Sequence, residues 1–134
     1  MRIRTVVLLR VLVVAPAARA RAHHTVANTV DISRLVSLAG RVTSIEWKNP
    51  HVIYHLAVPN PGVAGWVDWE IESRHVQGMR MAGIDEGTIK VGDRLTMNVM
   101  LAKDGSHHAA TASVVLPDGR KIDLCTVTNH ACPP

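Results

Sequence analysis

Apolar and polar residues alternate with period two over most of the chain after residue 35, and that period predicts strands. The first run, Leu35 to Trp47, carries its apolar residues in two phases: Leu38, Gly40 and Val42 share one, Ile45 and Trp47 the other. A strand keeps its phase, so the switch requires one extra residue, a β-bulge that bends the strand. A long bent first strand can take part in both halves of a small closed sheet. Lys48-Asn49-Pro50 then forms a corner, because proline fixes its own φ and disfavours helix in the residue before it.

His51 to Val58 reads as the second strand, with Val52, Tyr54, Leu56 and Val58 on one face and His51, Ile53, His55 and Ala57 on the other. Pro59-Asn60-Pro61-Gly62 is a turn by composition. The third strand, Trp66 to Glu72, points Val67, Trp69 and Ile71 inward and Trp66, Asp68, Glu70 and Glu72 outward. The alternation is lost over residues 74–82, where Ser73 is placed to cap a short helix with Val76, Met79 and Met81 packing inward and Gly83 as its stop. In the fourth strand Leu95, Met97, Val99 and Leu101 alternate with Thr96, Asn98 and Met100. The fifth runs from His108 to Leu116, and Pro117-Asp118-Gly119 turns it into a last short strand ending near Leu124. Three strands, a short helix and two or three further strands is the order of an all-β, OB-like closed or partly open barrel with one helix between the third and fourth strands. The rival, a β-sandwich, needs about seven strands and no helix.

Composition changes the picture mainly at the N-terminus. Residues 1–22 have a basic start, an apolar run and an Ala-x-Ala site at Ala20 and Ala22, the features of a cleaved secretory signal, although Arg10 interrupts the run. The rival is an uncleaved membrane anchor, for which the run is short of the ~20 residues a span needs. Cleavage after Ala22 leaves ten basic residues against eleven acidic ones, so the apparent basicity belongs to the signal. A nearly neutral domain lacks the electrostatic footprint of a nucleic-acid binder. The expected divisions are the signal at 1–22, a polar lead-in at 23–34, a barrel at 35–124 and a tail at 125–134. The expected location is periplasmic or secreted, with no stable membrane insertion after cleavage.

All eight histidines follow the cleavage site. A new N-terminus at His23 would offer an α-amine, two imidazoles (His23 and His24) and an ionisable amide, a nitrogen donor set that suits copper best among divalent ions. It resembles the histidine brace of copper enzymes and carriers; the alternative is a solvated His pair at a chain end. His51, at the corner, is the best candidate for a third ligand, or else a hydrogen bond that holds the corner. His55 lies four residues along the strand, ~13 Å away, too far to share an ion with it. His107-His108 reads as a polar loop end and His75 as exposed. Cys125 and Cys132 enclose six residues, and in an exported protein a disulfide is the leading reading. Asp68, Glu70 and Glu72 recur at ~7 Å and read as a solvated strand face. Trp66 and Tyr54 are candidate contacts for a protein or small ligand on the sheet face. No phosphate loop and no nucleophile motif is present, and a catalytic role is not expected.

The order His23-His24-Thr25, Gly40-Arg41-Val42-Thr43, Glu46-Trp47-Lys48-Asn49-Pro50-His51, Trp69-x-Glu, Val91-Gly92-Asp93, Ala102-Lys103-Asp104-Gly105 and Leu116-Pro117-Asp118-Gly119-Arg120 resembles a family of small exported bacterial proteins of unknown function. Its members begin the mature chain with His-His-Ser and carry Trp-Thr-Asn-Pro-His after a Gly-x-Val strand. Here Thr25 and Lys48 depart from that pattern, and His107-His108 and the two cysteines are additions. The resemblance implies export and the fold, with no activity attached.

Overall fold

The computed structural model describes residues 26–125 of the chain. Its elements are α1 Val26–Thr29, β1 Val30–Glu46, β2 Ile53–Pro59, β3 Trp66–Glu72, α2 Val76–Met81, β4 Arg94–Ala102, β5 His108–Val115 and β6 Lys121–Asp123. The sheet runs β3-β2-β1-β4-β5-β6, and β3 pairs a second time, with β5. That pairing draws five strands into a ring, with β6 added beside β5. It is parallel, through Glu70–His108, Ile71–Ala109 and Glu72–Ala110, whereas the other pairings are antiparallel. The architecture is the OB-like all-β arrangement expected, with the short helix between the third and fourth strands.

The bent first strand makes the ring possible. β1 pairs with β4 through Arg41 and with β2 from Arg41 onward, so one strand serves two neighbours in succession. Its register against β2 slips between Val42 and Ser44, which leaves Thr43 as the extra residue. The phase switch in the sequence is therefore this bulge: it lets Val42 and Ile45 both face the core despite their odd spacing. Gly40 lies just before it. A β-carbon there would run into the Ala57 carbonyl oxygen, with Leu56 Cγ 3.0 Å away, so only glycine lets the two strands approach this closely. The interior is filled by Tyr54, Leu56, Ile71, Met79, Ile84, Met97 and Leu124, all fully buried.

Three expectations are corrected by the structure. The first strand begins at Val30, inside the stretch read as lead-in. Val30 is fully buried with Met100, Ala110 and Ala112, and Ile32, Leu35 and Cys125 pack against this second cluster. Met100, expected on the wet side of the fourth strand, is consequently buried. A register shift between Val30 and Leu35 breaks the alternation and hides the strand's start. The helix, second, is capped by His75 and not by Ser73: His75 Nδ1 accepts from Gly78 N at 3.2 Å. Ser73 is buried, and its hydroxyl donates to Met79 Sδ. Third, Met81 is 78% exposed. Two residues past Met79 is ~200° around a helix, so the two cannot share a buried side. Gly83 ends the helix with φ +85°, as expected of a stop residue.

Candidate functional site

The Asn49-Pro50-His51 corner docks the end of β3 onto α2. Asn49 Oδ1 accepts from Val76 N at 3.1 Å, one of the helix's first unpaired amides. Val52 exchanges backbone hydrogen bonds with its neighbours across the corner, donating to Arg74 O and accepting from Ser73 N. The ring of His51 fills the remaining gap, with Nδ1 3.1 Å from Ser73 O and 3.2 Å from Glu72 Oε1. Both partners are acceptors, so Nδ1 is the donor to them. The side chain is 37% exposed.

From this corner a band of imidazoles and carboxylates crosses the outer face of four strands. Pairing sets it out: β2 and β3 align His55 with Glu70, and β3 and β5 align Glu70 with His108. Glu72, 18% exposed, lies between two imidazoles, with His51 on one carboxylate oxygen and His108 Nε2 on the other at 3.5 Å. His108 Nδ1 is 3.4 Å from Glu70 Oε1. His55 bridges Glu46 at 3.6 Å and Asp68 at 3.5 Å, and Lys48 caps the band through Glu46 at 2.5 Å. Asp68 also accepts from Thr43 Oγ1, the bulge residue.

The electrostatics follow from these contacts. The His108 hydrogen bond holds the Glu72 carboxyl below its ordinary value, although burial opposes this. The same hydrogen bond raises His108, with Glu70 adding to it. Lys48 lowers Glu46. The band is thus an alternating chain in which each charge has an opposite or titratable neighbour. Among the described residues no group of three or more His, Cys, Asp or Glu side chains is arranged to hold a metal ion.

The residues singled out in the sequence separate in space. His51 belongs to the band. His23, His24 and Cys132 lie outside the described residues; Cys125 lies inside, where its carbonyl accepts from Arg74 at 3.2 Å. Tyr54 is not on an accessible face: it is fully buried, its hydroxyl has no hydrogen-bond partner, and burial raises its pKa. It belongs to the inward phase of β2, so it cannot act beside Trp66. Trp66 is 64% exposed at the other end of β3, where it edges a groove of about 370 Å³. Sequence reasoning missed His108 and Glu72 as partners, since the parallel β3–β5 pairing joins residues 38 apart in the chain, and only the topology brings them together. His107, next to His108, turns the other way and packs on the Trp69 ring at 5.0 Å.

No curated protein and no solved structure matches the chain. A family match spans residues 11–111, most of the sequence, and the chain therefore belongs to DUF6152, a family of unknown function.

Proposed function

We propose that the protein is an exported binding domain that takes a transition metal, copper in preference, at His23 and His24, with His51 as the third ligand. The observation that carries this reading is the orientation of the His51 ring. Its Nδ1 is held by a backbone carbonyl and a carboxylate and the side chain is 37% exposed, so Nε2 is the ring nitrogen that a metal would take. Metal-binding histidines are commonly fixed in this way. The point where the chain enters the barrel supports it further. Val30 is buried with Ala110, and Ala110 is the register partner of Glu72. Five residues lie between His24 and Val30, four of them in α1 at about 1.5 Å of rise each, so the His pair is tethered close to the start of β1. Removal of residues 1–22 supplies the free amine, and oxidation of Cys125 and Cys132 suits the same compartment.

Native mass spectrometry of protein exported to a bacterial periplasm, with one equivalent of Cu(II) added, tests the reading. The expected mass begins at His23 and carries one copper, which His23→Ala abolishes and His51→Ala weakens. A chain cut at His23 that takes up no copper overturns it.

The exposure of Trp66 beside a groove favours a second reading, an interaction module with a non-metal ligand. That module would be indifferent to His23→Ala and would lose binding on Trp66→Ala.

A further inference from the structure

The groove beside Trp66 has an unusual charge arrangement. Arg41 on β1 and Arg94 on β4 are direct register partners across an antiparallel ladder. Both are exposed, and both line the groove together with Ala39, Thr96, Pro59 and Trp66. Partners in such a ladder lie about 4.5–5.5 Å apart at Cα, and like charges placed directly opposite one another are destabilising. Neither guanidinium makes an ion pair among the described residues. The nearest carboxylate in the same row of the sheet is Asp68, two strands from Arg41 through Ala57 and already engaged by His55 and Thr43.

The neighbouring row contributes the rest of the groove. Ala39 pairs with Thr96 and Pro59 with Trp66, so two short side chains give a low floor and an indole stands at its edge. Leu95 and Gly40 lie beneath. Two unpaired planar cations therefore adjoin an exposed aromatic surface with apolar flanks. Guanidinium pairs match the oxygen geometry of carboxylate and phosphate groups, and the indole and proline offer a face for a flat ring.

We infer that the Arg41–Arg94–Trp66 groove is a binding site for a small aromatic oxyanion, a ring bearing a carboxylate or phosphate group. The oxyanion sits between the two guanidiniums and relieves their repulsion, while the ring covers Trp66. The site stands apart from the imidazole–carboxylate band and does not depend on a metal. Trp66 and Glu72 terminate opposite ends of the seven-residue strand β3, roughly 20 Å apart.

The test is an NMR titration of the whole mature protein with four probes: phenyl phosphate, benzoate, inorganic phosphate and benzyl alcohol. Phenyl phosphate or benzoate is expected to shift the amides of residues 39–41 and 94–96 and the Trp66 indole N–H. Which of the two binds more tightly identifies the oxyanion. Inorganic phosphate, lacking the ring, and benzyl alcohol, lacking the charge, should each bind at least tenfold more weakly. Arg41→Gln with Arg94→Gln should lower affinity for the better probe more than tenfold. Trp66→Ala should remove the advantage of that probe over inorganic phosphate. The double Arg variant is a fair test because its melting temperature should not fall, since it removes a repulsion. Benzyl alcohol binding as tightly as the anions, unchanged affinity in the double variant, or no shift with either aromatic anion overturns the inference.

Discussion

The two ends of β3 treat charge in opposite ways. At the Glu72 end, carboxylates and imidazoles alternate, and each group of the band has a complementary neighbour on the same sheet. At the Trp66 end, two arginines are register partners and the described residues supply neither with an ion pair. The first arrangement spends its charges on holding strands together. The second leaves an electrostatic need for something else to meet. One small sheet face thus combines an internally compensated region with an uncompensated one, and substitutions should affect the two differently.

The largest effect is expected at the position that ties the two regions to one bent strand. Gly40→Ala places a methyl group against the Ala57 carbonyl, and the backbone there has no room to yield. A loss of about 1–3 kcal/mol in urea unfolding is expected, in the range of overpacking. An unchanged midpoint would mean that β1 and β2 can separate without cost.

Next comes Glu72→Gln, which removes the carboxylate shared by His51 and His108. The raised pKa of His108 stabilises the fold fully below the ordinary histidine value, and that contribution fades as pH rises through the raised value. The lowered pKa of Glu72 stabilises it above the ordinary carboxyl value of 4.5, and that contribution fades as pH falls through the lowered value. The substitution should therefore cost most near pH 5–6, about 1 kcal/mol for a partly buried pair, and less once pH has risen well above the raised His108 value. Equal losses at both pH values would remove the titrating partnership from the account.

Tyr54→Phe deletes a buried hydroxyl that has no partner. Since an unsatisfied polar group costs free energy and the ring is retained, stability should stay level or rise by up to about 1 kcal/mol. A clear loss would reveal a bond to that hydroxyl. The smallest effect should come from Arg94→Gln, a gain of a few tenths of a kcal/mol at low salt from the relieved repulsion, vanishing as salt screens it. A loss instead would show that the two guanidiniums are compensated within the protein and erase the contrast between the two ends.

Much of the fold was legible because a strand's period is strict. The misplaced phase between Val42 and Ile45 located the bulge, and β3 was bounded correctly at both ends. What escaped were non-local relations. Met100 sits in a polar-facing phase, and nothing near it in the sequence announces that Val30, seventy residues earlier, will cover it. Ser73 has the chemistry of a cap, but tertiary packing turns it inward and hands the task to His75. The site was legible as residue types and not as partnerships. His51 was assigned to the corner, but the outward carboxylates of β3 read as a solvated face, because the histidine that joins them arrives from β5.

The three parallel residue pairs of β3 and β5 close the ring, and the His108 ion pairs with Glu70 and Glu72 straddle that same closure. The ring is thus fastened by a clasp whose grip depends on protons. When pH rises through the raised pKa of His108 and its charge is lost, the backbone bonds of the clasp are left to hold with less electrostatic help, while the longer β1–β4 ladder is unaffected. Local opening should then begin there, so the Glu70 and Thr111 amides should exchange with solvent sooner than those of Met97 and Val99.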